Sequence, residues 1–170
     1  LFFLYVGDRT GYKNFKLLLD CFRKMKPFFS HVELVCFGGG QFNKNEMSMI
    51  GDIEKEGGRV RLKIGSDAEL AKLYKSALCL IYPSLYEGFG LPIIEAFNYR
   101  CPVILGNSSS IPEVAGKLGK YFDPHSEEEL YNLMVDQIDK GFQSLDDKIV
   151  NRHLEQFLMA NCAIETLKFY

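Results

Sequence analysis

The sequence lacks the apolar stretch that a membrane-spanning helix needs. None of its runs approaches the roughly 20 consecutive apolar residues required to cross a bilayer. It also lacks a charge imbalance: a formal net charge of −2 supplies no overall pull toward nucleic acid or anionic lipid, so no nucleic-acid partner is expected. Histidine is scarce, with three isolated copies that give no metal signal. The five cysteines, Cys21, Cys36, Cys79, Cys101 and Cys162, are odd in number and widely spaced, and no pair has the spacing of a zinc or redox motif. Most lie inside apolar runs and read as buried, reduced thiols of a cytosolic protein. There is no repeat, low-complexity tract or linker. No initiator methionine or leader precedes the opening apolar run, and a strand beginning at Leu1 leads us to expect that the natural polypeptide continues upstream.

What remains is ordinary globular composition, 47% apolar and 25% charged, in a chain of 170 residues. That is the size of one domain with a proper core. Short apolar runs alternate with helical periodicity throughout. Strands are predicted over residues 1–6, 32–37, 59–64, 78–82, 102–105 and 120–122. Helices are predicted over 14–28, 43–56, 67–76 (capped by Ser66 or Asp67), 91–99 and 110–115. From 126 onward the pattern is helical, broken near Gly141 and Ser144. About six alternations imply an α/β fold, a Rossmann-like parallel sheet of about six strands with helices on both faces and right-handed crossovers. Ligands of such sheets bind beyond the carboxyl ends of the strands. The loops over 7–13, 38–40 and 83–90 lie there and are the most glycine-rich strand exits.

The most informative of them carries Glu87, Gly88, Phe89, Gly90, Leu91 and Pro92, with Glu95 about one turn inside the next helix. Gly88 and Gly90 remove side chains, so a ligand can approach backbone N–H groups. Those groups open a helix, whose N-terminus favours phosphate. One carboxylate on the loop and one on the helix can accept hydrogen bonds from a diol. This describes a site for a ligand with phosphate at one end and hydroxyls near it. An ordinary glycine turn, with Glu95 complementing the helix dipole, is the alternative.

The segment resembles the signature of retaining glycosyltransferases of the GT-B fold, the large family-four group that includes many bacterial polysaccharide and mannosyl transferases. That signature is a Glu, seven residues, then a second Glu, and Glu87 and Glu95 fit it. The likeness runs through the opening loop over 5–14, the stretch from Ser66 to Tyr74, Cys101 with Pro102, the stretch from Ser109 to Val114, and Tyr121 to Pro124. It implies that the chain is one C-terminal nucleotide-sugar-binding domain over 1–170, including the helical segment from about 126. The N-terminal acceptor domain of the same polypeptide would then be absent. Glu95 is expected at the ribose hydroxyls and Glu87 at hydroxyls of the donor sugar. The amides of Phe89, Gly90 and Leu91, together with Gly88, are expected against sugar and phosphates, and Gly7 beside them. Arg9 and Lys13 are expected to hold the diphosphate. Gly39 is expected to pass near the nucleotide unless 38–40 is a plain turn. Lys63 and Ile64 end a strand near where family members seat the base.

The same resemblance implies retaining transfer of a hexosyl group, with mannosyl favoured. The donor would be a GDP- or UDP-linked sugar and the acceptor a glycan or lipid-linked molecule in polysaccharide biosynthesis. The acceptor hydroxyl is expected to attack on the face the phosphate leaves. Arg9, Lys13 and the helix N-terminus would stabilise the departing diphosphate, so no metal or other cofactor is expected. Asp146 and Asp147 lie in the helical tail, far in sequence from the site. The compartment implied is cytoplasmic, peripheral at the inner membrane through the other domain, and this piece alone is expected to be inactive. Three departures stand out. Asp8 intervenes between Gly7 and Arg9, and Arg100 replaces a customary Gly. The aromatic usual near the final helix, often Trp, is replaced around Phe157 to Met159. Glu113 and Asp67 read as capping or surface charges, and His31 and His125 as structural or exposed. Two other classes remain: a sugar-nucleotide epimerase or phosphorylase relative, and a catalytically silent nucleotide-sugar-binding module.

Overall fold

The computed structural model describes residues 1–141 and 143–158. Its six strands are β1 (Phe2–Val6), β2 (Glu33–Phe37), β3 (Val60–Lys63), β4 (Cys79–Tyr82), β5 (Val103–Gly106) and β6 (Lys120–Phe122). Its helices are α1 (Phe15–Lys24), α2 (Lys44–Lys55), α3 (Asp67–Ser76), α4 (Leu91–Asn98), α5 (Ile111–Ala115), α6 (Glu127–Lys140) and α7 (Asp147–Leu154). All five strand pairings are parallel, in the order β3-β2-β1-β4-β5-β6.

Both faces of the sheet are covered, which explains why the inner strands β1, β2, β4 and β5 read as apolar runs. Along β1, Phe3 and Tyr5 join a core built with Leu18, Leu19 and Phe22 of α1, Ile53 of α2 and Met134 of α6. The alternate residues Leu4 and Val6 join the opposite core, with Tyr74 of α3, Ile93 and Phe97 of α4 and Val150 of α7. Burying each large apolar side chain contributes about 1.5–3 kcal/mol relative to leaving it exposed.

Chain order reverses between β1 and β4, which are neighbours in the sheet. At such a switch point the loops leaving the two strands diverge to opposite faces and open a crevice. Several boundaries differ from expectation by a residue or more. The first helix stops at Lys24, and Lys26–Phe28 forms a separate 3-10 turn that contains Pro27. Proline has no N–H to donate and its ring clashes with the carbonyl four residues back, so the α-helix ends before it. Helix α3 has the bounds expected, and of the two candidate caps Ser66 takes the place: its N–H donates to Glu69 Oε2 at 2.8 Å, and Asp67 is the first helical residue. Strand β3 ends at Lys63, leaving Ile64 outside it and exposed.

Candidate functional site

The two loops of the switch point are tied to each other before any side chain of the crevice is considered. Leu85 N–H donates to Tyr12 O at 2.8 Å. Asn14, in the left-handed region at φ 55°, donates through Nδ2 to Pro83 O at 3.2 Å and Pro124 O at 2.8 Å. Asparagine tolerates that backbone better than most residues, and its amide joins the exits of β1, β4 and β6. Asp8 shapes the start of the first loop. Its Oδ1 accepts from Thr10 N at 3.0 Å and Thr10 Oγ1 at 2.7 Å. The Thr10 backbone N–H, then its hydroxyl, holds the Asp8 carboxyl below its ordinary value.

Lys13 crosses the crevice. Its Nζ lies 2.7 Å from Glu87 Oε1 and 3.3 Å from Tyr82 Oη. It also stands 5.2 Å from the Tyr12 ring centroid and 5.4 Å from that of Tyr82. With side-chain exposures of 14% and 9%, the pair is largely withdrawn from water. Burial, reinforced by Glu87, pushes the Tyr82 phenol well above its usual range, so it stays protonated beside the pair.

Glu87 is also braced from a loop that the sequence did not single out as functional. Its N–H donates to Ser109 Oγ at 2.8 Å, and its carbonyl accepts from Ser110 Oγ at 2.9 Å. Ser108 Oγ donates to Ser84 O at 2.8 Å. Three successive serines after β5 thus grip both ends of the short stretch from Ser84 to Glu87. Ser109 holds a left-handed φ of 46° to do so.

Past Glu87 the chain climbs onto α4 through Gly90, at φ 91°, with Pro92 in the first turn. The amides of Gly88, Phe89, Gly90 and Leu91 make no hydrogen bond among the described residues. Four successive donors therefore stand free at the positive end of a helix, the arrangement that receives anions. Phe89 packs edge-on against Phe157, with centroids 5.7 Å apart. Met159 lies outside the described residues. Glu95, half-buried, accepts from Tyr74 Oη at 3.0 Å through Oε2.

Arg9, expected at the diphosphate, is turned instead into the loop after β2. Its guanidinium donates to the carbonyls of Gly38, Gly39, Gly40 and Gln41 at 2.8–3.1 Å and to Glu46 Oε2 at 3.3 Å. The side chain is 3% exposed. The glycines at 38–40 all have positive φ, and a Cβ on Gly39 would lie 2.5 Å from Gly7 O and 2.6 Å from Arg9 Nη1. The three-glycine turn wraps Arg9 against the first loop. Lys63 and Ile64 line a cavity of about 250 Å³ with Phe37, Glu69, Lys72 and Leu73 at the carboxyl ends of β2 and β3.

The remaining candidates have structural places. Asp146 caps α7 by accepting from Lys148 N and Ile149 N, and Asp147 pairs with Arg100 at 2.5 Å. Arg100 adopts a left-handed φ of 61° and also donates to Asn151 Oδ1, tying the end of α4 to α7. Glu113, His31 and His125 are exposed. Cys21, Cys36, Cys79 and Cys101 are buried free thiols, and Cys162 lies outside the described residues. Among the described residues no group of His, Cys, Asp and Glu gathers as a metal cradle, and no helix is long and apolar enough to cross a membrane.

Doubly wound sheets with a switch-point crevice are a nucleotide-binding architecture. Comparison with known proteins makes the class specific: residues 1–151 match the family model described as glycosyl transferases group 1. The chain belongs to that family and has the GT-B type of α/β domain. It is 29% identical over 171 residues to O-antigen chain mannosyltransferase B of Escherichia coli, covering 98% of this chain and 45% of that protein. It is 31% identical over 151 residues to O-antigen chain mannosyltransferase RfbU of Salmonella typhimurium, covering 87% and 40%. A crystal structure of a glycosyltransferase from Rickettsia africae aligns with a TM-score of 0.81 over 99% of this chain and 46% of its own, at 18% identity. That likeness concerns the fold. The chain spans less than half the length of each of these relatives.

Proposed function

We propose that this domain binds a nucleoside-diphosphate sugar across the β1–β4 switch point and serves retaining transfer of a hexosyl group. The single observation that carries the reading is the Lys13–Glu87 pair at 2.7 Å beside four unspent amides at the head of α4. A cation and a row of N–H donors suit the two negative charges of a diphosphate. A carboxylate held between them suits sugar hydroxyls. Glu95 takes the ribose, and the cavity at Lys63 and Ile64 takes the base. Arg9 acts through the loop it holds.

As the anomeric C–O bond breaks, negative charge grows on the leaving diphosphate. Lys13 and the α4 head supply preorganised positive potential there without a metal. Glu87 orients the sugar, and the acceptor hydroxyl attacks from the face the diphosphate leaves, losing its proton to a phosphate oxygen. The acceptor, a glycan or lipid-linked molecule, is held by a second domain of the same polypeptide, consistent with the chain's coverage of 45% of its mannosyltransferase relative. By itself the domain binds donor without turnover. Mannose is the favoured sugar because two curated relatives are O-antigen chain mannosyltransferases, and the cytoplasm is the favoured compartment.

The experiment is a titration of the 170-residue chain with GDP, UDP, ADP and their sugars. One base should bind in preference to the others, with its diphosphate well ahead of its nucleoside. Absence of binding by every diphosphate up to millimolar concentration would contradict the proposal.

A further inference from the structure

We propose that Tyr74 is a positioning residue for the ribose of the donor: its phenol fixes one oxygen of Glu95 so that the other is presented to a diol. The inference rests on the donor-site reading above. Tyr74 lies on α3, is fully buried, and stacks on Tyr99 with ring centroids 5.8 Å apart and planes 15° apart. Burial, with Glu95 second, pushes its phenol far above the usual range, so the group is protonated at any working pH and acts as a donor. One proton has two acceptors in reach, Glu95 Oε2 at 3.0 Å and Pro92 O at 3.4 Å. The nearer one is charged and takes it.

Glu95 has no other anchor. No Lys, Arg or His lies within ion-pair distance of it among the described residues, and its Oε1 accepts no hydrogen bond there. A half-buried glutamate with neither cation nor amide to hold it would sample several rotamers. The bond from Tyr74 selects one. Because the ring is locked between two helices, the hydroxyl is a fixed point rather than a second mobile partner. A carboxylate with one oxygen tied and one open offers a single direction of acceptance, which suits a vicinal diol and would be wasted on a phosphate. Preordering one rotamer-rich side chain corresponds to about two- to tenfold in affinity.

The test compares GDP and UDP with their 2′,3′-dideoxy forms by calorimetry on the unaltered chain, Tyr74→Phe and Glu95→Gln. Tyr74→Phe keeps the ring and its packing, and each variant serves as its own control across the ligand pair. The expected result is a two- to tenfold loss for the ribonucleotide in Tyr74→Phe, with dideoxynucleotide affinity unchanged. A ribose-selective loss in Glu95→Gln without one in Tyr74→Phe overturns this inference and leaves the donor site standing. Equal loss for both ligands in Tyr74→Phe also overturns it, because it marks a packing role. If the unaltered chain binds none of GDP, UDP and ADP, the donor-site reading falls and takes the inference with it.

Discussion

Lys13 and Glu87 are 74 positions apart in the chain and 2.7 Å apart in space, joined across the one seam where neighbouring strands run out of sequence order. The pair is the simplest consequence of the topology, because the loops leaving β1 and β4 have nowhere else to meet. Removing one partner strands the other in a position largely withdrawn from water. Lys13→Ala is expected to lower unfolding free energy by about 1–3 kcal/mol, less than the 3–5 kcal/mol of a deeply buried pair because the crevice admits water. Adding Glu87→Gln to Lys13→Ala should recover much of that loss. Chemical denaturation of the two single variants and the double variant measures the coupling, and strict additivity would remove the pair from the account.

The serine clamp makes a narrower prediction. Ser110→Ala deletes the donor to Glu87 O and leaves the fold's cores untouched. Stability should fall by about 1 kcal/mol, the ordinary worth of such a bond. Affinity for the sugar nucleotide should fall more than affinity for the free diphosphate, since the clamp sets the residue assigned to the sugar. Equal effects on both ligands, measured by calorimetry, would dissociate Ser110 from Glu87.

For Arg9 the expected signature is structural. Its fork donates to four carbonyls and to Glu46, and a lysine ammonium cannot reproduce that pattern. Arg9→Lys and Gly39→Ala should both lower the thermal midpoint, the second because a Cβ would collide with Gly7 O. If Arg9→Lys unfolds like the parent while losing diphosphate affinity, then Arg9 leaves its loop to bind phosphate directly.

Thiol chemistry offers an independent check on the core. Burial pushes Cys21, Cys36 and Cys101 up to about 12 and Cys79 well above its ordinary value. Thiolate is the reactive form, so at pH 8 the four should resist iodoacetamide in the native protein and react in denaturant. Peptide mass spectrometry reads this site by site, and rapid native labelling of any of the four would contradict the packing described.

The fold was largely legible because the inner strands β1, β2, β4 and β5 are buried on both faces and so read as short apolar runs. Glu87 and Glu95 were legible as candidates because carboxylates and glycines at a helix entrance make a local pattern, and Lys13 only through the family resemblance. The contacts that hold them were not. Tyr74 reaches Glu95 from 21 positions away and Ser109 reaches Glu87 from 22, and nothing in a short window marks either as a partner. For Arg9 the sequence names the charge but not its partner: carbonyl oxygens and phosphate oxygens make the same demand on a guanidinium, and the fold sets it on the carbonyls of Gly38, Gly39, Gly40 and Gln41. Pro27 marks the stop of α1 in the sequence, but the α-helix ends at Lys24 and the residues around the proline form a separate 3-10 turn.

The most direct measurement is the diphosphate affinity of Lys13→Ala against that of the unaltered chain, with the matching nucleoside as control. It should be made by calorimetry at a temperature where circular dichroism shows both proteins folded. The account predicts a loss of about tenfold or more for the preferred nucleoside diphosphate, the scale of one charge-assisted hydrogen bond of about 1.5–3 kcal/mol, and no change for the nucleoside. Equal diphosphate affinity in the two proteins, or an equal loss for the nucleoside, would contradict a donor site built across the β1–β4 seam.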